Sequence, residues 1–256
     1  MAKKKNFNRD EEKVCGLHAA KQAFLKRGQN LAKVYLEERR ISHFGEILKF
    51  CAQNKIGYKT VTSEELKKIT GSEHHEGICL CFKKSSNRMI EQEIVRIDRK
   101  DKVLILALHQ AQNPHNIGAI MRVAAHFGVD LILLEGQKKH LSASTFRIAE
   151  GGAEHVPYVF VDSMIDSLQE LKEKEYQIFS TSSHTEGSLY KTVFPAKTVI
   201  VMGKEDEGLP REIMNLGKPV SIPGTGLVES LNLSTATSIL LSEFRRQIPL
   251  ASGKSL

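Results

Sequence analysis

Three stretches in the second half of the chain combine polar side chains and glycines at spacings that could do chemistry. The first runs Gln112-Asn113-Pro114-His115-Asn116-Ile117-Gly118-Ala119-Ile120-Met121-Arg122. Asn113-Pro114 forces a turn at the carboxyl end of an apolar strand, where ligands collect in open α/β sheets. Asn116 reads as the N-cap of the helix that follows. Ile117, Ile120, Met121 and Ala124 recur at core spacing, so Gly118, Ala119 and Arg122 are expected on another face, with Gly118 and Arg122 at i and i+4. Two small side chains beside an arginine leave room for a phosphate or ribose under the guanidinium. A solvated arginine on an amphipathic helix is the plain alternative.

The second stretch, Gly203-Lys204-Glu205-Asp206-Glu207-Gly208, follows the apolar strand Val199–Met202. Glycine at both ends of a charged loop suggests close backbone approach. It is not a Walker loop, and no GxGxxG follows the first strand of this half, so a dinucleotide fold lacks its fingerprint. Three adjacent carboxylates could hold magnesium but are more often solvated, and no metal site is assigned. The third stretch breaks at Pro223-Gly224-Thr225-Gly226 and then enters a helix. Its apolar positions Leu233, Ala236, Thr237, Leu240, Leu241 and Phe244 mark one buried face, and Asn232 or Ser234 can cap its start.

The elements that must position these loops read as two α/β series. Helices through Ala19–Phe24 and Phe44–Cys51 alternate with strands at Ala32–Leu36, Gly57–Val61 and Gly77–Phe82. Thr62-Ser63-Glu64-Glu65 reads as a capping box that starts a short helix ending near Gly71. From Lys102, strands at Val103–Leu108, Asp130–Leu134, Val156–Val161, Gln177–Thr181, Val199–Met202 and Val220–Ile222 alternate with helical stretches at 117–127, 163–174 and 210–216. The expected division is a basic tail at 1–12, a small α/β/α domain at 13–84, a linker at 85–99, a mostly parallel sheet with helices on both faces at 100–247, and a tail at 248–256.

The 256-residue chain carries a net charge of +7. Residues 1–100 hold 22 Lys and Arg against 13 Asp and Glu, or +9, and residues 101–256 hold 15 against 17, or −2. A basic first part beside a near-neutral remainder suggests contact with a polyanion, against the alternative of a solvated lysine surface. No apolar run approaches the roughly 20 residues of a membrane span. The basic start Met1-Ala2-Lys3-Lys4-Lys5 leads into no apolar stretch, so a signal peptide is not expected. The four cysteines (Cys15, Cys51, Cys79 and Cys81) fit neither a disulfide framework nor a CxxC metal pair. The expectation is a cytoplasmic protein with no membrane partner.

Asn113 to Arg122, Val201 to Gly208 and Ile222 to Ser234 occur in order at fitting spacing. Together they resemble the three motifs of the SpoU-type (TrmH-like) RNA ribose 2′-O-methyltransferases of the SPOUT superfamily, over about residues 100–247. Residues 14–82, ending in His75-Glu76-Gly77-Ile78, resemble the substrate-binding domain that often precedes that catalytic domain. The resemblance implies an S-adenosylmethionine-dependent enzyme with a C-terminal trefoil knot, acting as a homodimer on structured RNA, either rRNA or tRNA with rRNA slightly favoured. It places Gly203, Ile222 and Leu231 around the cofactor, with Thr181 nearby. It matches Arg122 to the catalytic arginine and Asn116, Glu205, Ser230 and Asn232 to the other motif positions.

A ribose hydroxyl is a poor nucleophile until its developing negative charge is stabilised. Arg122, which stays protonated in water, suits that task better than the task of a base. The chain departs from the family pattern at Gly224, Glu229 and Ala149-Glu150-Gly151-Gly152, and Glu229 and Glu150 put negative charge near the expected RNA path. The alternative from another class is a non-catalytic RNA-binding protein with the same fold.

Overall fold

The computed structural model describes residues 11–84, 89–136, 139–185 and 187–250. In chain order the elements are β1 (Glu11–Cys15), α1 (Leu17–Arg27), β2 (Leu31–Leu36), α2 (Gly45–Gln53), β3 (Gly57–Thr60), α3 (Ser63–Thr70), β4 (Ile78–Lys83), α4 (Ile90–Ile97), β5 (Val103–Leu108), α5 (Pro114–His126), β6 (Leu131–Glu135), α6 (Ala143–Ala149), α7 (Gly152–His155), β7 (Tyr158–Val161), α8 (Met164–Glu173), β8 (Gln177–Thr181), β9 (Lys197–Met202), α9 (Arg211–Leu216), β10 (Lys218–Val220) and α10 (Leu233–Gln247). The chain divides into two compact units, Met1–Ser86 with Leu141–Glu154, and Asn87–His140 with His155–Leu256.

The first unit is built on a sheet of order β1-β4-β2-β3, in which β2 and β3 are parallel and the other pairs antiparallel. The capping box forms as its residue types require: Thr62 accepts from Glu65 N, the Glu65 carboxylate accepts from Thr62 N, and Gly71 ends α3 in the left-handed region. His75 is buried. Its Nδ1 accepts from Gly77 N at 3.0 Å, so its proton sits on Nε2, which donates to Ser63 O at 3.1 Å. The Glu76 carboxylate accepts from Leu17 N at 2.8 Å and closes the start of α1.

Two features of this unit differ from expectation. Glu11 and Glu12, assigned to the tail, begin β1, an edge strand of the sheet in which Glu12 pairs with Arg27; residues 1–10 of that tail lie outside the described residues. The segment Leu141–Glu154, assigned to the second domain, belongs to this unit. There Phe146 and Ala149 are buried, and the Cys15 thiol donates to Ala143 O at 3.4 Å. Burial pushes the Cys15 pKa up to about 11, as suits a small buried hydrophobe.

The second unit has a six-stranded, fully parallel sheet of order β10-β8-β9-β5-β6-β7. β5 is buried along its whole length, which explains its unbroken apolar sequence. Residues Val103, Ile105 and Ala107 pack with Leu168 and Leu171 of α8 and Ile213 of α9. Ile94 and Ile97 of α4 join the same core, so part of the expected linker at 85–99 is a structural helix of this unit. α10 packs on α5, and Arg245 donates to Phe127 O and Gly128 O, both at 2.6 Å, satisfying carbonyls at the end of α5.

Candidate active site

β5 leads through α5 to β6 on one side, while β9 leads through α9 towards the opposite edge. Between β5 and β9 the winding direction reverses, and the crevice beyond their carboxyl ends is where such sheets bind ligands. His109 N donates to Met202 O at 2.9 Å there, continuing the pairing to the mouth of the crevice.

Asn113, not Asn116, caps α5: its Oδ1 accepts from His115 N at 2.9 Å, with Pro114 in the first turn. Asn116 is thereby released for another task. It is only 6% exposed, its Nδ2 donates to Glu205 Oε1 at 2.9 Å, and its Oδ1 accepts from Asn232 Nδ2 at 3.0 Å. Asn232 caps α10, its Oδ1 accepting from Ser234 N at 2.9 Å, Ser234 Oγ at 2.6 Å and Thr235 N at 3.4 Å. One line of hydrogen bonds therefore joins all three motif stretches.

The Glu205 loop is pinned by its glycines. Lys204 and Gly208 exchange backbone hydrogen bonds, and Gly208 has φ +70°. A Cβ on Gly203 would come within 2.3 Å of the Gly208 carbonyl carbon, so only glycine fits this close crossing. Lys204 pairs with Glu207 at 2.6 Å and Asp206 at 3.4 Å, and the bond to Glu207 raises the lysine pKa. Glu205 is the carboxylate left to face Asn116.

The loops after β8 and β10 run against each other. Ser182 N donates to Val220 O at 3.1 Å, Leu189 N to Ser221 O at 2.8 Å, and Ser221 Oγ to Gly187 O at 2.9 Å. Thr181 uses its hydroxyl on Val201 O at 2.8 Å, Ile222 is half-buried, and Gly203 is buried. Leu227, Val228 and Leu231 are 88%, 69% and 44% exposed. Glu229 is paired with His184 at 3.6 Å, a partnership that nothing in the sequence announced.

Arg122 does not join this network. It lies six residues from Asn116, about 240° round the helix at 3.6 residues per turn. It is exposed, and it has no hydrogen-bond or ion-pair partner among the described residues. Of the small residues beside it, Gly118 is buried and Ala119 half-buried. Ser230 is exposed and makes no side-chain hydrogen bond among the described residues. The Asn113 cap could have been read from the sequence, because Pro in the first helical turn places the cap just before it.

Residues 103–242 match the model of the SpoU rRNA methylase family, and residues 13–88 match that of the RNA 2′-O ribose methyltransferase substrate-binding domain. The chain belongs to the SpoU methylase family. It is 37% identical over 241 residues to the uncharacterized tRNA/rRNA methyltransferase YfiF of Escherichia coli O157:H7, covering 93% of this chain and 69% of that protein. It is 30% identical over 248 residues to the 23S rRNA (guanosine-2′-O-)-methyltransferase RlmB of Neisseria meningitidis serogroup B, covering 96% and 99%. Its fold is similar to that of the SpoU methyltransferase AviRb of Streptomyces viridochromogenes, solved in complex with S-adenosylmethionine. The TM-score is 0.77 at 19% identity, covering 96% of this chain and 94% of that one.

The chain thus joins a SpoU rRNA methylase domain to an RNA 2′-O ribose methyltransferase substrate-binding domain, and by family it is an RNA 2′-O-methyltransferase. The loops beyond β8, β9 and β10 offer backbone groups beside half-buried Ile222 and exposed Leu231, with Lys204, Glu205 and Glu229 as charged side chains on the same loops.

Proposed function

We propose that this enzyme methylates a ribose 2′-hydroxyl of rRNA, with tRNA the second choice, in a homodimer whose active sites combine residues of both protomers. Cytoplasmic location is part of the reading. The observation that carries it is the hydrogen-bonded line Glu205–Asn116–Asn232, which draws the three motif stretches together. Thr181, Gly203, Ile222 and Leu231 would hold S-adenosylmethionine, which when bound supplies an electrophilic methyl group on a sulfonium. Arg122 would orient the attacking hydroxyl and stabilise its developing negative charge, with Ser230 near the RNA. The separation of Arg122 from Asn116 around α5 supports its action on the partner's site. A trefoil knot belongs to the same reading, supported by the passage of Val220 and Ser221 against the loop after β8 and the return of α10 onto α5.

RNA capture would fall mainly to the basic first 100 residues, so affinity should drop steeply with salt as counterions are released. The composite site is tested by mixing Arg122→Ala protein with Asn232→Ala protein. Partial recovery of methylation in the mixture is expected, and none would contradict sites shared between protomers. Calorimetry with S-adenosylmethionine checks the cofactor. No heat of binding at millimolar ligand, with and without RNA, would favour a non-catalytic RNA-binding role.

A further inference from the structure

The Glu205–Asn116–Asn232 line has a direction. Asn232 Oδ1 already accepts from Ser234 N, Ser234 Oγ and Thr235 N, so its amide cannot flip without facing NH2 against those donors. Its Nδ2 must point to Asn116. The carbonyl of Asn116 must therefore face Asn232, and its NH2 must face Glu205. A flipped Asn116 would set its carbonyl against a carboxylate and its NH2 against another NH2. The positive end of the 15-residue α10 thus lies at one terminus of the line and an ionised acceptor at the other.

Asn116 is 6% exposed with both polar atoms engaged, whereas Glu205 is exposed and only its Oε1 is held. From this we infer that Asn116 is a positioning residue that acts through Glu205, and that Glu205 is the member of the line that meets the ribose hydroxyl, accepting its hydrogen bond on the free carboxylate oxygen. The inference rests on the reading of this site as the methyl-transfer centre.

A double-mutant cycle tests it, using single-turnover methylation by the full chain. Asn116→Ala and Glu205→Gln should each slow the step by a factor on the order of 10², the scale of lost positioning. The double variant should be no slower than the worse single one. Effects that multiply would show Asn116 acting independently and overturn the inference. Asn116→Asp adds a pH signature. Two carboxylates this close cannot both ionise, so a proton is taken up as pH falls. The protonated side chain of that variant has the shape of asparagine, and with O–H towards Glu205 and C=O towards Asn232 it restores the line. The Asn116→Asp rate should therefore rise as pH falls, in a range where the wild-type rate does not. A pH-independent loss would point to a merely structural role.

A readout free of turnover separates this inference from the assignment of the reaction. With asparagine 15N-labelled, the Asn116 side-chain amide should exchange slowly with solvent and shift in Glu205→Gln. Fast exchange with no shift would refute the line even if methylation is observed. Slow exchange and a shift without any methylation would retain the line and refute the reaction.

Discussion

In the first unit the Arg27 guanidinium lies over the rings of Phe82 and Phe146, at 4.4 and 5.5 Å from their centroids. It is held by Glu12 of β1 on one side and by Glu154, at 2.8 Å, on the other. In the second unit Glu205, Asn116 and Asn232 also tie together distant parts of the chain, but that line ends in an exposed carboxylate while the neighbouring Arg122 has no partner among the described residues. The Arg27 network is largely buried, with both terminal nitrogens held by carboxylates and Nε left without a hydrogen-bond partner. Burial penalises its charge, yet Glu12 and Glu154 outweigh that and raise the arginine pKa. The Glu205 line is open at the end that faces solvent. A buried network fixes a fold; an open one holds chemistry ready for a ligand to complete.

If that contrast is right, the two networks should fail in different ways. The largest expected effect is on rate: Arg122→Ala should lower single-turnover methylation by on the order of 10²–10³, the scale of one lost oxyanion donor, with the melting temperature unchanged. Arg122→Lys should not rescue, because an ammonium lacks the planar fork. Arg27→Ala should do the reverse. It leaves two carboxylates inside the first unit and should lower unfolding free energy by about 3–5 kcal/mol in denaturant titrations, while any residual folded protein binds S-adenosylmethionine normally.

Gly203→Ala should fall between these two kinds of failure. The added methyl would meet the Gly208 backbone, so the Glu205 loop must open, weakening cofactor binding in calorimetry more than it lowers the melting temperature. The smallest effect is a gain. Glu150 ends α6 at φ 48°, ψ 43°, in the left-handed region. Glu150→Gly should stabilise by a few tenths to about 1 kcal/mol in the same denaturant titrations, and a loss would mean that the Glu150 side chain matters.

Periodicity and turn chemistry made much of this legible. The continuous apolar run of β5, the capping box at Thr62 and the stop at Gly71 depend on neighbours in sequence, and they form as read. What the sequence hid depends on neighbours in space. The start of β1 reads as charged tail because Glu11 and Glu12 gain their strand only by pairing with β4. Leu141–Glu154 looks like an ordinary stretch between two strands, and only burial of Phe146 and Ala149 shows which unit it completes. Removing residues 1–94 would expose those side chains, so RNA capture is better tested by substituting lysines and arginines. At the site, the family resemblance grouped Asn116, Glu205 and Asn232 with Ser230 and Arg122, but did not show that the first three bond to one another. Arg122 remains a position matched by resemblance, with no hydrogen-bond or ion-pair partner among the described residues.

The central claim is methyl transfer to a ribose oxygen. Purified protein should be incubated with methyl-labelled S-adenosylmethionine and total RNA from cells lacking the gene, and the RNA then hydrolysed in alkali. A 2′-O-methyl group removes the hydroxyl that attacks the adjacent phosphate, so the label should be recovered in alkali-resistant dinucleotides and should vanish with Arg122→Ala. Label recovered in mononucleotides would mean methylation elsewhere on the nucleotide, and no label at all would contradict the enzyme.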